Sequence, residues 1–314
     1  MKYEYQSCLT PYFNEFLKTK RSLGFKYEHI EYSFKEIDIM YLERNIQDPS
    51  LTKEFAEEYT EKRPNESNTT RTHRIGHIRT LANFLIAKGI DAYVFPPLPK
   101  GSYKIDYVPY IFTDRQLADF FHSIDEEENF VYKTNYCYPI IFRILYSTGM
   151  RVNEVLSLKY EDIDFKNATF FIKQSKNNKD RQIPVHPNLL KYLIEYINNH
   201  RVYINNHDYI FITKTGNKIS SAAVYHYFRK HLWKIGVPHP GRSKGPCVHS
   251  FRHTYCVHRL RDWVKAGKDI NTLFPYLCAY MGHADTRCTE YYLRLTAELY
   301  PMIVSNCEKI FNEG

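Results

Sequence analysis

The chain has 314 residues, 43% hydrophobic and 25% charged, the balance of a globular protein long enough for two domains with separate cores. No stretch approaches the roughly 18 apolar residues of a membrane span, and the N-terminal MKYEYQSCLTPYF lacks the apolar core of a signal peptide. The seven cysteines are scattered and form no CxxC pair, which argues against a disulfide framework and for a reducing compartment, so a cytoplasmic protein is expected.

The net charge is +8, unevenly spread: residues 1–100 carry 15 Lys and Arg against 14 Asp and Glu, and residues 101–314 carry 28 against 21. The excess suggests a polyanionic partner for the C-terminal two-thirds. The 28 Tyr residues mark no site by number alone, since a tyrosine can bury its ring and keep its hydroxyl wet.

Taken in chain order, the first hundred residues read as helical. Tyr12, Phe13, Phe16 and Leu17 open a helix that stops near Gly24, and Phe34, Ile37 and Tyr41 mark a second. Phe55 to Tyr59 continues the pattern. Asn68-Thr69-Thr70 can cap a helix running through Ile75, Ile78, Leu81 and Leu85 to Gly89. Between Phe95 and Pro109 the prolines of PPLPKGSYKIDYVP interrupt any periodicity. The expected division is therefore residues 1–98, a linker at 99–108, and a second domain at 109–314.

The second domain is expected to be mainly helical with a small antiparallel sheet. Thr113-Asp114 caps a helix through Leu117 and Phe121, and Pro139 to Tyr146 forms an apolar helix ending at Thr148-Gly149. TFFIK at 169–173 and QIPV at 182–185 suit a hairpin, with Ser175 to Asp180 as its turn. Helices are predicted at Leu189–Asn198, Ser221–Ile235, Ser250–Ala266 and Thr272–Met281.

Four segments hold chemically suggestive residues. In the first, Gly149 turns into a helix that begins with Arg151, and Glu154 follows three residues on, where it can orient the guanidinium. The second is the hairpin loop with Lys176, flanked by Lys173 and Lys179. The third is His249-Ser250-Phe251-Arg252-His253, whose His249 and Arg252 share a helix face. The fourth runs from Gly282-His283 to Tyr291-Tyr292. Each alone is ordinary: a surface ion pair, a solubilising lysine, a capping histidine, a packed aromatic pair.

In this order the set resembles the tyrosine recombinase (phage integrase) family, over roughly residues 108–296. The resemblance implies a two-domain protein, with a helical, SAM-like core-binding domain ahead of the catalytic domain. It matches Arg151 to the first arginine of the TGxRxxE segment and Glu154 to its orienting acid. Lys176 matches the hairpin lysine, ahead of Lys173 and Lys179; His249 and Arg252 match the HxxR box. His283 matches the Gly-His box and Tyr292 the nucleophile, with Tyr291 as its competitor. The stretch Val264 to Tyr280 is longer than in compact members.

That residue set suits phosphodiester chemistry. Two arginines can clamp the non-bridging oxygens as charge builds at phosphorus. A phenol, with an ordinary pKa of about 10, needs a proton acceptor or a positive potential; His249 is the candidate base. The departing 5′ oxygen needs a general acid, for which Lys176 is placed, and His283 would hydrogen-bond the phosphate. No metal or other cofactor is required. A zinc site from His249, His253, Cys256 and His258 is the alternative, although no cysteine pair or acidic cluster completes it.

The resemblance further implies site-specific DNA recombination for a phage or mobile element, through a 3′-phosphotyrosyl intermediate and a four-way junction. The partners expected are double-stranded DNA with recombination sites, a homotetramer on that DNA, and accessory DNA-bending or directionality proteins. DNA contacts are expected from Arg71 and Arg74 in the first domain and from Arg229, Lys230 and Lys234 on the basic helix of the second. The tail at 297–311 can pack on its own domain or on a neighbouring protomer. Competing readings are a type IB topoisomerase-like relaxing activity and a catalytically silent DNA-binding module.

Overall fold

A computed structural model of the protein describes residues 3–25, 27–98, 108–130, 137–173, 180–201, 203–241, 245–282, 292–293 and 295–296. The chain divides into two compact units, Met1–Tyr107 and Val108–Gly314. The linker expected at 99–108 falls almost wholly outside the described residues.

The first unit consists of α1 (Thr10–Ser22), α2 (Glu28–Glu43), α3 (Lys53–Thr60) and α4 (Asn68–Ala87). Its helix ends are satisfied locally. Thr52 caps α3 by accepting from the Phe55 N–H, and Ser67 caps α4 by accepting from the Thr70 N–H. The cap of α4 is thus one residue earlier than the Asn-Thr-Thr run suggests. Phe13, Phe16, Phe34, Tyr41, Phe55 and Leu81 form the core. Beneath it, the fully buried carboxylate of Asp38 accepts from the Ser7 N–H and hydroxyl and from the Tyr3 hydroxyl, fixing the N-terminal segment.

The second unit is helical around a three-stranded antiparallel sheet. Its elements are α5 (Asp114–Phe130), α6 (Cys137–Thr148), α7 (Val152–Leu156), β1 (Ile163–Asp164), β2 (Thr169–Ile172) and β3 (Arg181–Pro184). They continue with α8 (Pro187–His200), α9 (Ser221–Lys234), α10 (Ser250–Lys265) and α11 (Ile270–Met281). The sheet order is β1-β2-β3, with Phe170 opposite Ile163 on one side and Ile183 on the other. The two longer strands match the hairpin read from the sequence. The two-residue β1 was not anticipated, being too short to show alternation.

Phe112, Phe120, Phe142, Phe228 and Phe251 meet as a cluster of aromatic rings at the centre. Phe251 therefore turns inward, as expected of a residue between His249 and Arg252, and α10 packs against α6 and α11. A smaller cluster joins Tyr255, Val257 and Leu260 of α10 to Leu277 and Met281 of α11. Tyr292 and Leu295 pack into it. That second cluster carries the tyrosine to the helix bearing the HxxR box.

Candidate active site

Arg151 is the N-cap of α7, one position before the helix proper. The Glu154 carboxylate reaches back to accept from the Arg151 backbone N–H (2.9 Å) and from its Nη1 (2.9 Å). This is the glutamate arm of a capping box, and the Arg151 side chain is partly buried beside it. Glu154 has a second partner. Arg181, at the start of β3, donates from Nη1 (3.1 Å) and Nη2 (2.7 Å) to the same carboxylate, and its Nε donates to the Tyr280 carbonyl (3.1 Å). Burial opposes the Glu154 charge, but Arg181 and Arg151 outweigh it and hold the carboxyl below the ordinary range.

Arg252 lies one turn into α10 and is 2% exposed. Its Nη1 donates to the Gly149 carbonyl (2.7 Å) and its Nη2 to the Met281 carbonyl (2.6 Å). The guanidinium thus ties together the end of α6 and the end of α11. Burial and the neighbouring charge of Arg151 lower its pKa from 12.5 to about 10, so it stays cationic at neutral pH, and Tyr292 lies close enough to pull the other way. The two arginines therefore share one electrostatic site.

His249 is the N-cap of α10, and its ring stands perpendicular to that of His253, 4.7 Å between centroids. His253 Nδ1 lies 2.7 Å from the Tyr292 hydroxyl. Burial, then the charges of His249 and Arg252, push the His253 imidazole down to about 3, so it is neutral at physiological pH. Tyr292 itself is 4% exposed. The structure thus brings together Arg151, Glu154, His249, Arg252 and Tyr292 within one unit of one chain.

Lys176, Lys179, His283 and Tyr291 lie outside the described residues. Lys173 is engaged by Asp162 (2.7 Å) and Glu161 (3.3 Å), and the bond to Asp162 raises its pKa. The four residues weighed as zinc ligands have diverging surroundings: His253 faces Tyr292, His258 Nδ1 lies 3.0 Å from the Tyr146 hydroxyl, and Cys256 is buried.

Of the expected DNA contacts, Lys230 and Lys234 are exposed on α9 and Arg229 is partly buried. Arg71 is partly buried and donates from Nε to the Thr60 carbonyl (2.9 Å). Arg74 requires a correction. It is 5% exposed, ion-paired with Glu66 (2.8 Å), bonded to the Glu61 carbonyl (2.7 Å) and set over the Tyr59 ring. Its position on α4 turns it into the unit rather than toward a phosphate.

Two residues escaped the motif reading. Arg181 had a signal, since it shares the inward phase of β3 with the buried Ile183, and a charge there needs an internal partner. His253 was considered only as a zinc ligand, and its neighbourhood with Tyr292 depends on how the chain returns after α11.

The sequence profile of the phage integrase family matches residues 112–298. The chain belongs to the phage integrase family. A putative integrase/recombinase of Sinorhizobium fredii, y4rB, is 25% identical over 303 residues, 94% of this chain and 95% of that protein. The tyrosine recombinase XerA of Pyrococcus furiosus is 30% identical over 162 residues, 51% of this chain and 50% of that protein. Among solved structures, the integrase of transposon Tn1549 in complex with a circular intermediate DNA gives a TM-score of 0.63 at 18% identity, over 88% of this chain and 92% of that one. The XerH site-specific recombinase bound to its difH substrate gives 0.57 at 19% identity, over 76% and 64%. The structural likenesses bear on fold and agree with the mainly helical, two-domain tyrosine recombinase architecture expected from the motifs. Among the described residues no helix is long and apolar enough to cross a membrane.

Proposed function

We propose that this chain is a site-specific DNA recombinase in which Tyr292 attacks a phosphodiester to form a 3′-phosphotyrosyl bond and release a 5′ hydroxyl. The observation that carries the reading is the Tyr292 hydroxyl beside α10, adjoining an Arg252 that shares its electrostatic site with Arg151. Arg151 and Arg252 then bind the non-bridging oxygens and stabilise the charge that grows in the trigonal-bipyramidal transition state. Arg252 is well suited, because two backbone carbonyls fix its plane before DNA arrives. Glu154 orients Arg151. Lys176 protonates the departing 5′ oxygen, and His283 hydrogen-bonds the phosphate.

The phosphotyrosyl bond retains the energy of the broken ester, so a 5′ hydroxyl from a second duplex reverses the step without ATP, metal or other cofactor. Two such exchanges pass through a four-way junction, which requires paired sites and a tetramer of this chain on DNA. The first unit serves as the core-binding domain, with Arg71 a contact from α4. Lys230, Lys234 and Arg229 supply phosphate contacts from α9, giving a salt-sensitive affinity. Similarity to a putative integrase/recombinase and to an integrase solved with DNA supports this substrate class.

The test is covalent trapping. Incubation with a nicked duplex, followed by denaturing electrophoresis, is expected to yield a protein–DNA adduct that vanishes in Tyr292→Phe. Loss should exceed about 1,000-fold, since a phenyl ring offers no oxygen to phosphorus. An adduct that persists in the mutant would move the nucleophile elsewhere, with Tyr291 first in line. No adduct with either protein would favour a DNA-binding module without chemistry.

A further inference from the structure

The mechanism above leaves the tyrosine proton without a destination, and α10 supplies one. His253 directly follows Arg252, and its Nδ1 faces the Tyr292 hydroxyl at 2.7 Å with the two rings inclined by 42°. Tyr292 and its neighbour Leu295 are both 4% exposed, so bulk water has little access to that oxygen. The His249 ring also packs on the imidazole, perpendicular to it with 4.7 Å between centroids. Two ring contacts thus hold its position.

Burial, and then the charge around His253, decides its protonation. Arg252 and His249 are its charged or titratable neighbours on α10, Arg151 adds its charge to Arg252 from the start of α7, and Tyr292 faces it from beyond α11. These surroundings keep the ring neutral, so one ring nitrogen carries a lone pair. With the proton on Nε2, the lone pair on Nδ1 points at the phenol. A protonated imidazole would instead donate to the oxygen and blunt it as a nucleophile.

We propose that His253 is a catalytic residue of this recombinase, its Nδ1 accepting the hydrogen bond of the Tyr292 hydroxyl and taking its proton as the oxygen attacks phosphorus. The inference rests on Tyr292 being the nucleophile. As the tyrosine O–P bond forms, the phenolic proton passes to Nδ1. The P–O bond to the 5′ oxygen breaks with its electron pair, and that oxygen takes a proton from the general acid. In rejoining, the 5′ hydroxyl attacks and gives its proton back to the deprotonated general acid, the tyrosine O–P bond breaks, and the imidazolium returns its proton to the phenolate. Burial depresses the proton affinity of His253 most, and the charge of Arg252, which the scissile phosphate contacts, adds to it. The negative charge of bound DNA offsets the Arg252 contribution and raises that affinity when a base is needed. His249, the candidate base in the sequence, stands at the N-cap position of α10 and flanks the acceptor.

The experiment compares wild type, Tyr292→Phe, His253→Phe and His253→Asn in single-turnover cleavage. The substrate is a nicked duplex bearing the sequence that wild type selects from a random pool. His253→Phe keeps the ring volume and is expected to slow adduct formation by about 100-fold, with duplex affinity held within about twofold. His253→Asn places an amide oxygen near the former Nδ1 and should recover about tenfold of that loss. The His253→Phe defect should persist on a duplex whose 5′ bridging oxygen is sulfur, because sulfur leaves without an acid. Wild-type rates in His253→Phe, no gain in His253→Asn, or a defect erased by the sulfur substrate would each overturn the proposal. Should His253→Phe fail to fold, nitrogen NMR of the wild-type histidines decides. The His253 Nδ1 resonance is expected to be that of an unprotonated acceptor and to move in Tyr292→Phe, and an unmoved resonance overturns the proposal. Failure of the Tyr292 reading has a different signature, an adduct absent from wild type or retained in Tyr292→Phe.

Discussion

Arg181 holds Glu154 through two nitrogens and the Tyr280 carbonyl through the third. Arg181→Met removes all three bonds and leaves a nearly buried carboxylate with Arg151 alone. A loss of about 2–3 kcal/mol in unfolding free energy is expected by urea titration. Cleavage should fall as well, because Arg151 is oriented through Glu154. The neutral His253 makes a second prediction, about acid. Its ordinary pKa of 6.5 falls to about 3 in the folded chain, so between those values the unfolded chain binds the extra proton. The stability tied to the neutral imidazole is therefore complete above about pH 6.5 and is lost progressively as pH falls toward 3. Thermal midpoints measured from pH 7 to 4 should drop more steeply for wild type than for His253→Asn. Glu154, held below the ordinary carboxylate range, loses its contribution only toward the lower end of that interval, and equally in both proteins.

The helices of both units follow their apolar periodicity within a residue or two, because burial of one face fixes each of them. The arginine and histidine motifs could be read for a different reason: spacing along one helix survives whatever the tertiary arrangement. What connects elements could not be read in this way. The Arg252 bonds to the Gly149 and Met281 carbonyls join the ends of two helices far apart in sequence, and no local pattern announces them. The internal role of Arg74 was hidden for the same reason, since Glu66 lies in the loop before α4 and only the folded turn aims it inward. Gly149 shows how tightly these junctions are built. It has φ +62°, and a Cβ there would stand 2.7 Å from Tyr255 Cδ1 and 3.1 Å from the Met281 sulfur. Gly149→Ala is expected to cost about 2 kcal/mol in unfolding free energy, about half from the left-handed backbone and the rest from displaced side chains. Calorimetry checks the stability. The same variant should cleave more slowly than its stability explains, since the Gly149 carbonyl is an anchor of Arg252.

The charge excess read from the sequence lies in the part of the chain that contains the second unit, where α9 exposes Lys230 and Lys234. It also lies in the part that carries every proposed group of the reaction. The hydrogen bond between His253 and Tyr292 lies within one chain. Under the proposed function, a protomer then cuts with its own Tyr292. Mixed in equal amounts, Tyr292→Phe and Arg252→Ala proteins should nick nothing beyond what either manages alone, whereas a lent tyrosine would restore activity in the mixture. A complex holding two wild-type and two Tyr292→Phe protomers would accordingly cut only the strands beneath its intact members. The order of strand exchange would follow from which subunits are whole, and a gel of labelled strands would display it.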